Sequence, residues 1–463
     1  MTDATAIYNP TDTICAISTP SGTGAIALVR LSGPDAISIA GSVWKGRPLA
    51  EAASHTAHLG LLVDPADGST LDQAVATVYR APRSFTGDNI VEFGIHGSRW
   101  IQRQLIALLV RQGARLALPG EFTRRAFTSG KLDLAEAEAV ADVIASSSKA
   151  AHALAISQMR GDFSRHLASL RAEMVDLASL LELELDFSEE DVEFASRGRL
   201  LALASKVHSE LTRLAASFDT GAAIKEGIPV AIIGPTNAGK SSLLNALVGD
   251  DRAIVSDIHG TTRDIVEDTL EIGPYLIRFR DTAGLRDTAD TIENIGIDRS
   301  RRAARQAAVI LFVVDPRALP TPDDIRAELH DIDLARVIFV INKTDIAPDE
   351  ASAAKALEGE TVLISAKTGA GIDDLRTKIA ERIEALNPPS DNDIIVTNAR
   401  HAAALGAAAT AAARVVDALD TGLPADLIAQ DLRETIHHLS TVTGQITTTE
   451  ILTTIFERFC IGK

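Results

Sequence analysis

The stretch IPVAIIGPTNAGKSSLLNALVG at Ile228–Gly249 decides the fold of the domain that contains it. Val230–Ile233 form a short apolar run rich in β-branched residues, which predicts a buried strand. Gly234–Ser241 fit the spacing G-x-x-x-x-G-K-S, and an apolar helical pattern follows at once. Strand, glycine loop and helix in this order predict a phosphate-binding loop, whose backbone N–H groups face the phosphates. Lys240 would neutralise the outer phosphates, and the Ser241 hydroxyl would lie on Mg²⁺.

Length and composition narrow the class of protein. The chain has 463 residues, enough for two to four domains, and its 46% hydrophobic content is ordinary for a soluble protein. Cys15 and Cys460 offer no disulfide framework and suit a reducing cytoplasm. The net charge of −18 argues against a surface coated in basic residues, although it allows a local patch. We expect no signal peptide, and Ala402–Ala413 predicts a packed helix because it is too short and weakly apolar for a membrane span.

The first 130 residues predict an α+β domain. The predicted strands are Ile14–Ser18, Ala25–Leu31, Ala74–Tyr79 and Asn89–Phe93. A helical pattern lies near Ile101–Val110, and glycines, Gly94 among them, are predicted to form the turns between elements. Residues 99–131 hold seven basic residues and one acid, Glu121, and form either a solvated face or an anion-binding patch.

Helical patterns at residues 131–224 and 387–463 flank the nucleotide-binding segment. An apolar seam with alternating spacings of three and four predicts packing against another helix, and it comprises Leu167, Leu170, Met174, Leu177 and Leu181. The seven carboxylates of residues 182–193 predict a solvated helix end. Thr447 and Glu450 predict a capping box that opens the last helix. The economical interpretation is one discontinuous helical domain with the nucleotide domain inserted into it, and two unrelated helical domains are the alternative.

Residues 225–386 alternate between strand and helix patterns, which predicts a parallel sheet with helices on both faces. The further strands are predicted at Leu276–Phe279, Val309–Val314, Val337–Ile341 and Val362–Ile364. Thr321 and Pro322 predict a helix start, with the threonine as N-cap and the proline at the first helical position.

Four more motifs lie at predicted strand ends, where ligands bind in such folds. In GTTRD, Gly260–Asp264, a threonine can complete the Mg²⁺ shell, and DTAG, Asp281–Gly284, places a carboxylate near Mg²⁺ and a glycine N–H near the γ-phosphate. In NKTD, Asn342–Asp345, the aspartate can accept from guanine N1–H and the 2-amino group, both of which adenine lacks. SAK, Ser365–Lys367, brings a backbone N–H to guanine O6. Five motifs in this order identify a GTPase.

Hydrolysis needs an oriented water and neutralisation of charge on the transferring phosphoryl group. Ras-like GTPases place a catalytic glutamine directly after the DxxG motif, where this chain has Leu285, which can do neither. The candidates for orienting the water are Asp287, Asp290, Glu293 and Asp298. The candidates for neutralising charge are Arg263, Arg286 and a monovalent cation held by Asn237 and loop carbonyls. Spacing alone does not choose among them.

With GTTRD, DTAG followed by leucine, NKTD and the terminal FCIGK at Phe459–Lys463, the chain resembles the MnmE/TrmE family of tRNA-modifying GTPases. The likeness covers essentially the whole chain, since FTGDNIVEFGIHG, PGEFTRRAF and KLDLAEAEAVADVI are similar to the family's N-terminal segments. Within the loop, Pro235-Thr236 departs from the family pattern, which has proline directly before the asparagine.

The resemblance implies a multidomain α/β and α fold. Residues 1–130 would form an N-terminal α+β tetrahydrofolate-binding and dimerisation domain, 131–224 and 387–463 the two parts of a helical domain, and 225–386 an inserted Ras-like P-loop GTPase domain. It further implies a cytoplasmic homodimer whose GTPase domains pair when K⁺ and GTP bind. Its partners would be tRNA and the flavin- and NADH-dependent protein GidA/MnmG, with no membrane.

The resemblance also implies residue roles. K⁺ would be held by Asn237, Ser256, Ile258 and Thr261, and Mg²⁺ by Ser241 and Thr262. Glu293 would position the water, and K⁺ would take the place of an arginine finger. A formyl-tetrahydrofolate, the one-carbon donor, would be held by Arg30, Glu92, Lys131 and Lys463. With the motifs above, the GTP site comprises Asn237, Ala238, Gly239, Lys240, Ser241, Ser242, Ser256, Asp257, Ile258, His259, Gly260, Thr261, Thr262, Asp281, Thr282, Ala283, Gly284, Asn342, Lys343, Thr344, Asp345, Ser365, Ala366 and Lys367.

The implied function is a K⁺-activated GTPase that, with its flavoprotein partner, places an aminomethyl or carboxymethylaminomethyl group on C5 of the tRNA wobble uridine. An Era-like ribosome-assembly GTPase is the alternative; it explains the GTPase domain but neither the CIGK terminus nor the large N-terminal domain. A dynamin-like membrane GTPase is a third hypothesis, and no lipid-binding basic helix supports it. Cys460 is either a reactive thiol beside the folate or a small buried residue.

Overall fold

The computed structural model describes residues 8–186, 196–249, 268–279, 303–330, 332–353, 359–385, 393–457, 459 and 462. The chain divides into two compact units. The first unit comprises Met1–Ile144, Gln158–Phe194 and Pro424–Lys463, and the second comprises Ala145–Ser157 and Ala195–Leu423.

Helices make up much of the described part of the chain. In order they are α1 Ala36–Ser42, α2 Arg99–Arg111, α3 Glu121–Thr128, α4 Leu134–Ala145, α5 Lys149–Met159, α6 Asp162–Asp186, α7 Arg197–Ala216, α8 Phe218–Glu226, α9 Lys240–Val248, α10 Pro322–Glu328, α11 Pro348–Ala353, α12 Ile372–Ala385, α13 Ala399–Thr421, α14 Ala425–Thr443 and α15 Thr449–Phe456. Short 3₁₀ turns lie at Leu49–Glu51 and Leu334–Arg336. Helix α2 confirms the helical pattern that the sequence shows near Ile101–Val110.

The first unit is built on a mixed sheet. Its strands are β1 Ile14–Ile17, β2 Ile26–Ser32, β3 Trp44–Lys45, β4 Thr56–Val63, β5 Thr70–Tyr79, β6 Ile90–His96 and β7 Arg115–Leu116. They lie in the order β3-β4-β5-β6-β2-β1-β7, and only the β1–β7 pair is parallel. All four strands predicted in this region are confirmed.

The two faces of this sheet differ. Apolar side chains such as Val29 and Phe93 point to one face, where they form a core with α1 and the buried Leu105 and Leu109 of α2. The opposite face carries Arg30, because side chains alternate along a strand. That face therefore carries the polar side chains of Arg30 and of its cross-strand partner Glu92.

The seam predicted in α6 is confirmed. Its five residues are at most 3% exposed in α6, and α6 packs against α14 in the same unit. At the acidic end of α6, Glu182 pairs with Arg433 of α14 at 3.0 Å. The remainder of the acidic run beyond residue 186 lies outside the described residues.

Two local predictions are wrong. Gly94 lies inside β6 rather than in a turn, since it pairs with both Leu28 and Val75 and the apolar residues around it carry the strand through. The N-cap of α15 is Thr448 rather than Thr447, because the Thr448 hydroxyl accepts the Ile451 N–H at 3.3 Å. The cap is one residue later than the sequence pattern predicts.

The second unit contains the alternating sheet. Its strands are β8 Ile228–Ile233, β9 Asp268–Ile272, β10 Tyr275–Phe279, β11 Val309–Val314, β12 Val337–Ile341 and β13 Glu360–Leu363, in the order β13-β12-β11-β8-β10-β9. The pairs from β13 to β10 are parallel, as predicted. Edge strand β9 was not predicted and is antiparallel to β10. Its alternating, partly acidic sequence DTLEI lacks the continuous apolar run of a buried parallel strand.

Helices cover both faces of this sheet, as predicted. On one face, β8 side chains such as Val230 pack with Leu243 of α9 and Ile379 of α12. On the other, Ile233 packs with Ala304 and with Leu329, the C-cap of α10. Helix α10 begins with the predicted Thr321 cap, which is completed as a capping box by Asp324.

Helix α13 carries the Ala-rich stretch. Among the described helices it is the one long and apolar enough to cross a membrane by length and composition. It packs lengthwise against α7, burying Leu405, Ala412 and Val415. Its apolar residues therefore serve a helix–helix contact within the second unit, as the sequence predicted.

Candidate functional site

Three of the predicted motifs meet at one edge of the second sheet. The phosphate-binding loop follows β8, NKTD follows β12, and SAK follows β13. These strands are parallel, so their carboxyl ends lie at the same edge. The loops are close enough for direct hydrogen bonds between them.

Two glycines allow the phosphate-binding loop to pack this tightly. Gly234 and Gly239 have φ values of 128° and 96°. A Cβ on Gly234 would lie 2.2 Å from the Val313 carbonyl oxygen, and one on Gly239 would lie 2.2 Å from Asn342 Nδ2. Any larger residue would push the loop away from β11 and from NKTD.

Lys240 begins helix α9, with Ser241 beside it in the first turn. Its Nζ donates to the carbonyls of Gly234 at 2.7 Å and Pro235 at 2.8 Å. Burial lowers the pKa of Lys240. The ammonium therefore lies at the mouth of the loop, beside the helix N-terminus that favours anions.

Asn342 links all three loops. Its Nδ2 donates to the Ala238 carbonyl of the phosphate-binding loop at 3.0 Å. Its Oδ1 accepts the Ala366 N–H of SAK at 3.0 Å and the Lys343 N–H at 2.8 Å. Since Asn342 is 2% exposed, these bonds are shielded from water and hold the loops in fixed register.

The carboxylate predicted to recognise guanine is also held in place. Asp345 Oδ1 accepts the Ser365 hydroxyl at 2.7 Å. The Thr344 N–H donates to the Ile364 carbonyl at 3.2 Å, which ties NKTD to the end of β13. The NKTD and SAK loops are thus held together by direct hydrogen bonds.

These loops enclose a cavity of about 640 Å³. Seven of the predicted GTP-site residues line it: Gly239, Ser242, Asn342, Lys343, Asp345, Ala366 and Lys367. The structure therefore brings the phosphate-loop and guanine-loop residues to one site.

Six further predicted residues are described but do not line the cavity: Asn237, Ala238, Lys240, Ser241, Thr344 and Ser365. The other predicted residues of the site lie outside the described residues. They are Ser256, Asp257, Ile258, His259, Gly260, Thr261, Thr262, Asp281, Thr282, Ala283, Gly284 and Glu293. The same holds for the other water-orienting and charge-neutralising candidates between Arg263 and Asp298. Their roles stay predictions.

Sequence reasoning missed several residues at this site. Asp315 directly follows β11, and the cavity lining also includes Asn245, Ala246, Arg317 and Ile346. The rule that ligand residues lie at the carboxyl ends of parallel strands would have found Asp315, because Val309–Val314 was a predicted strand.

A second cavity, of about 430 Å³, lies in the first unit. Arg30 and Glu92, two of the predicted folate residues, line it and face each other across β2 and β6. Their side chains form an ion pair, with Arg30 Nε 2.7 Å from Glu92 Oε1. The Tyr79 hydroxyl lies 3.4 Å from Glu92 Oε2, and burial, then the Glu92 charge, raises the pKa of Tyr79.

Aromatic and apolar groups complete the walls of this cavity. The Arg30 guanidinium carbon lies 5.5 Å from the ring centre of Phe122 and 5.8 Å from that of Phe85. Phe85 and Thr123 line the cavity but were not predicted, since the motifs that contain them carry no ligand spacing. The cavity pairs one cation and one anion with apolar walls.

The other two predicted folate residues are placed differently. Lys131 is exposed and lies beside the loop that carries Phe85, where its Cε is 3.8 Å from a Cβ built on Gly87. Lys463 lies outside the described residues, but Gly462 before it accepts the Ser18 hydroxyl at 3.1 Å. Ser18 follows β1, and Ala16 of β1 pairs with Arg30, so Ser18 lies on the Arg30 face of the sheet.

The basic region of residues 99–131 is partly structural. Arg115 and Arg125 bind the buried carboxylate of Glu121 at 2.8 and 3.1 Å. Arg111 pairs with Asp64 at 2.7 Å. These three arginines serve ion pairs within the unit, so the region is not a single anion-binding patch.

Family models match nearly the whole chain. Residues 13–131 match the model described as the GTP-binding protein TrmE N-terminus, and residues 134–460 match the MnmE helical domain. The chain belongs to the MnmE family. The fold class predicted from the sequence, an N-terminal domain, a helical domain and a P-loop GTPase domain, is confirmed.

MnmE relatives extend over the same length. A tRNA modification GTPase MnmE of Parabacteroides distasonis is 47% identical over 461 residues, covering 97% of this chain and 100% of that protein. One of Bacteroides fragilis is 45% identical, covering 98% of this chain and 99% of that protein. Among solved structures, an Aquifex aeolicus Era variant bound to GDP and AlF₄⁻ is 30% identical over 39% of this chain and 65% of that chain, with a TM-score of 0.26.

Membership of the MnmE family makes the chain a GTP hydrolase of the tRNA modification class. The family assignment also sets aside the Era-like and dynamin-like alternatives.

Proposed function

We propose that this chain is a K⁺-activated GTPase that, with a flavin-dependent GidA/MnmG partner, adds an aminomethyl or carboxymethylaminomethyl group to C5 of the tRNA wobble uridine. The GTPase part of this proposal is supported by the hydrogen bonds of Asn342 with Ala238 and Ala366. They join the phosphate-binding loop to the NKTD and SAK loops. We further propose that it works in the cytoplasm as a homodimer, with a tetrahydrofolate as one-carbon donor.

The guanine site follows from the chemistry of the loops. A guanine base offers N1–H and a 2-amino group to the carboxylate of Asp345, which the Ser365 hydroxyl holds in place. The SAK loop lies beside it, and a backbone N–H of that loop is proposed to reach O6, while the Ala366 N–H itself is held by Asn342 Oδ1 at 3.0 Å. Adenine would present no donor at N1 and has no 2-amino group, so it would leave this carboxylate without a partner on the base.

For the proposed Mg²⁺ and K⁺ sites, two of the predicted ligands lie in the described part of the chain. Ser241 stands at the start of α9 with a hydroxyl suited to Mg²⁺, and the exposed Asn237 lies two residues before the second glycine with a side-chain oxygen suited to K⁺. When bound, K⁺ would supply the positive charge that an arginine finger supplies elsewhere. Glu293 is proposed to orient the attacking water.

The cavity of the first unit is proposed to hold the pteridine end of a tetrahydrofolate. The Arg30–Glu92 pair offers polar groups to a hydrogen-bonding pteridine, and Phe85 offers an apolar wall. The Thr123 hydroxyl is fully buried at the cavity without a hydrogen-bond partner in the described structure. An unsatisfied buried hydroxyl is costly, and a polar ligand would satisfy it.

The docked chain end supports the same site. Phe456 and Phe459 pack against Leu134 and Ala137, and Gly120 lies against Phe456. Gly462 is then held by Ser18 on the Arg30 face of the sheet. The position of Gly462 supports the proposal that Lys463, the next residue, binds at the folate cavity.

We also propose the domain limits 1–130, 131–224, 225–386 and 387–463. Helices from the two flanking stretches pair within each unit: α6 with α14, and α7 with α13. Each pair joins a helix that precedes the nucleotide segment to one that follows it. This supports insertion of the GTPase domain between paired helical stretches, with one pair in each compact unit.

The function is tested by deleting the gene and digesting bulk tRNA to nucleosides. We expect the modified wobble uridines to disappear and to return with the wild-type gene, but not with an Asp345→Asn variant. Asp315 and Glu92 are left intact in that variant, so the loss would report the guanine site. If the deletion strain and the wild-type strain contained equal amounts of modified wobble uridine, the proposal would be refuted.

A further inference from the structure

Asp315 connects the phosphate-binding side of the nucleotide cavity to the base-binding side. Its carboxylate, 13% exposed, accepts Lys343 Nζ at 2.8 Å. It also accepts Arg317 Nε at 3.0 Å and Arg317 Nη2 at 2.7 Å, and the Arg317 backbone N–H at 3.0 Å. One nearly buried anion therefore holds two cations from different loops.

Both cations line the cavity, and Lys343 also reaches the phosphate-binding loop. Its Nζ also donates to the Asn237 carbonyl of the phosphate-binding loop at 2.6 Å. With both ends fixed, the methylene stem of Lys343 lies along the wall of the cavity. Such a stem offers an apolar strip on which a planar base can pack. The Lys343 backbone has a φ of 63°, so this placement is built into the loop.

The charge balance depends on Asp315. Asn237 contributes a neutral carbonyl, so the negative charge opposite the Lys343 ammonium comes from Asp315. The Arg317 guanidinium, followed by Lys343, holds the pKa of Asp315 well below its usual range. Without that carboxylate, the Lys343 ammonium and the Arg317 guanidinium would repel each other across the cavity wall.

We propose that Asp315 is a positioning residue for the nucleoside half of the bound nucleotide: it fixes the Lys343 side chain against the base, and Arg317 clamps Asp315 in turn. This inference rests on the proposed guanine site. It assigns neither residue to the chemistry of hydrolysis.

The test is calorimetry on the full-length protein with two probes, GDP and inorganic pyrophosphate. For Asp315→Asn we expect GDP affinity to fall roughly tenfold, as the loss of a charged hydrogen bond implies. Pyrophosphate contacts only the phosphate half, so its affinity should stay at the wild-type value. An equal loss for both probes, or no loss for GDP, would overturn the proposal.

A double-mutant cycle shows whether Asp315 acts through Lys343. Lys343→Met keeps the stem but removes the charge, and in that background Asp315→Asn should cause no further loss of GDP affinity. Additive losses would contradict the assigned route. A wild-type protein that fails to bind GDP at all would instead refute the guanine site itself.

Arg317→Gln provides a further test in which no buried side chain is changed, since the Arg317 side chain is 49% exposed. Loosening the clamp on Asp315 should weaken GDP about threefold and leave pyrophosphate unchanged. Arg326→Gln is the matched control, because Arg326 is 80% exposed and pairs locally with Asp323 on α10. If the Arg317 variant behaved like that control, the clamp would be refuted.

Discussion

The side chain of Asn342 donates to the backbone carbonyl of Ala238 across 104 positions of sequence, at 3.0 Å. A buried amide that joins two loops at this distance fixes their spacing, because leaving it unpaired would cost free energy. The phosphate-binding loop and the guanine-binding loop are therefore set before any ligand arrives. Much of the nucleotide affinity should follow from this preorganisation.

The first prediction concerns that bridge. Asn342→Ala removes bonds to Ala238, Ala366 and Lys343, and should lower the free energy of unfolding by about 1–3 kcal/mol. GDP affinity should fall with it, as measured by calorimetry. Asn9→Ala is the control, since Asn9 is exposed in the first unit and bonds only to its own turn through its side chain within the described residues. Equal GDP affinity in both variants would contradict the role given to Asn342.

The second prediction concerns the monovalent cation. GTP hydrolysis should rise steeply when NaCl is replaced by KCl at constant ionic strength, and Asn237→Ala should lose that rise. Because Lys240 and the proposed guanine-binding residues are left unchanged, the variant should still bind GDP. Equal rates in the two salts for the wild-type protein would end the cation mechanism.

The third prediction concerns the cavity of the first unit. Arg30→Ala should weaken binding of 5-formyl-tetrahydrofolate by roughly tenfold or more, because it removes the cation and leaves Glu92 unpaired. Arg111→Ala is the matched control, since its pair with Asp64 is exposed and remote from the cavity residues. Fluorescence or calorimetric titration gives the affinities. Identical affinities for the two variants would remove Arg30 from the site.

The fourth prediction concerns the end of the chain. Gly462 has a φ of 100°, and a Cβ there would lie 2.2 Å from the Ile17 carbonyl oxygen. Gly462→Ala should displace the terminal residues and weaken 5-formyl-tetrahydrofolate binding, with a stability cost of about 1–3 kcal/mol.

The control for that change is Gly406→Ala. Gly406 lies inside α13 and a Cβ there meets nothing within 4 Å, so the change should be neutral or slightly stabilising. Thermal unfolding and folate titration are measured for both. If Gly462→Ala binds folate as well as Gly406→Ala does, the docked terminus does not contribute to the site.

Continuous apolar runs explain why most of the nucleotide domain could be predicted. Strands β11 and β12 begin and end at the predicted residues, because buried parallel strands require an unbroken apolar sequence. Edge strand β9 has one covered face and carries Asp268 and Glu271, so its pattern is indistinct. Its pairing with β10 depends on a tight connection at Gly273-Pro274, a turn signal that marks the connection but not the strand before it.

The residues of the candidate sites likewise fall into those that the sequence could predict and those that only the fold brings together. NKTD and SAK could be placed because each follows a predicted strand in one sheet. Tyr79, Phe85 and Thr123 could not, since their meeting beside Arg30 depends on strand register and on the packing of α3. The strand-end rule is enough to predict Asp315 as a site residue. Its pairing with Lys343 and Arg317 could be seen only in the folded structure.

The central claim is that the loops at the carboxyl edge of the second sheet bind guanine nucleotides selectively. Calorimetric titration of the full-length protein with Mg²⁺-GDP and Mg²⁺-ADP tests it most directly. We predict saturable binding of GDP, with ADP weaker by about a hundredfold or more because it leaves the Asp345 carboxylate unpaired. Comparable affinities for the two nucleotides, or no binding of either, would contradict it.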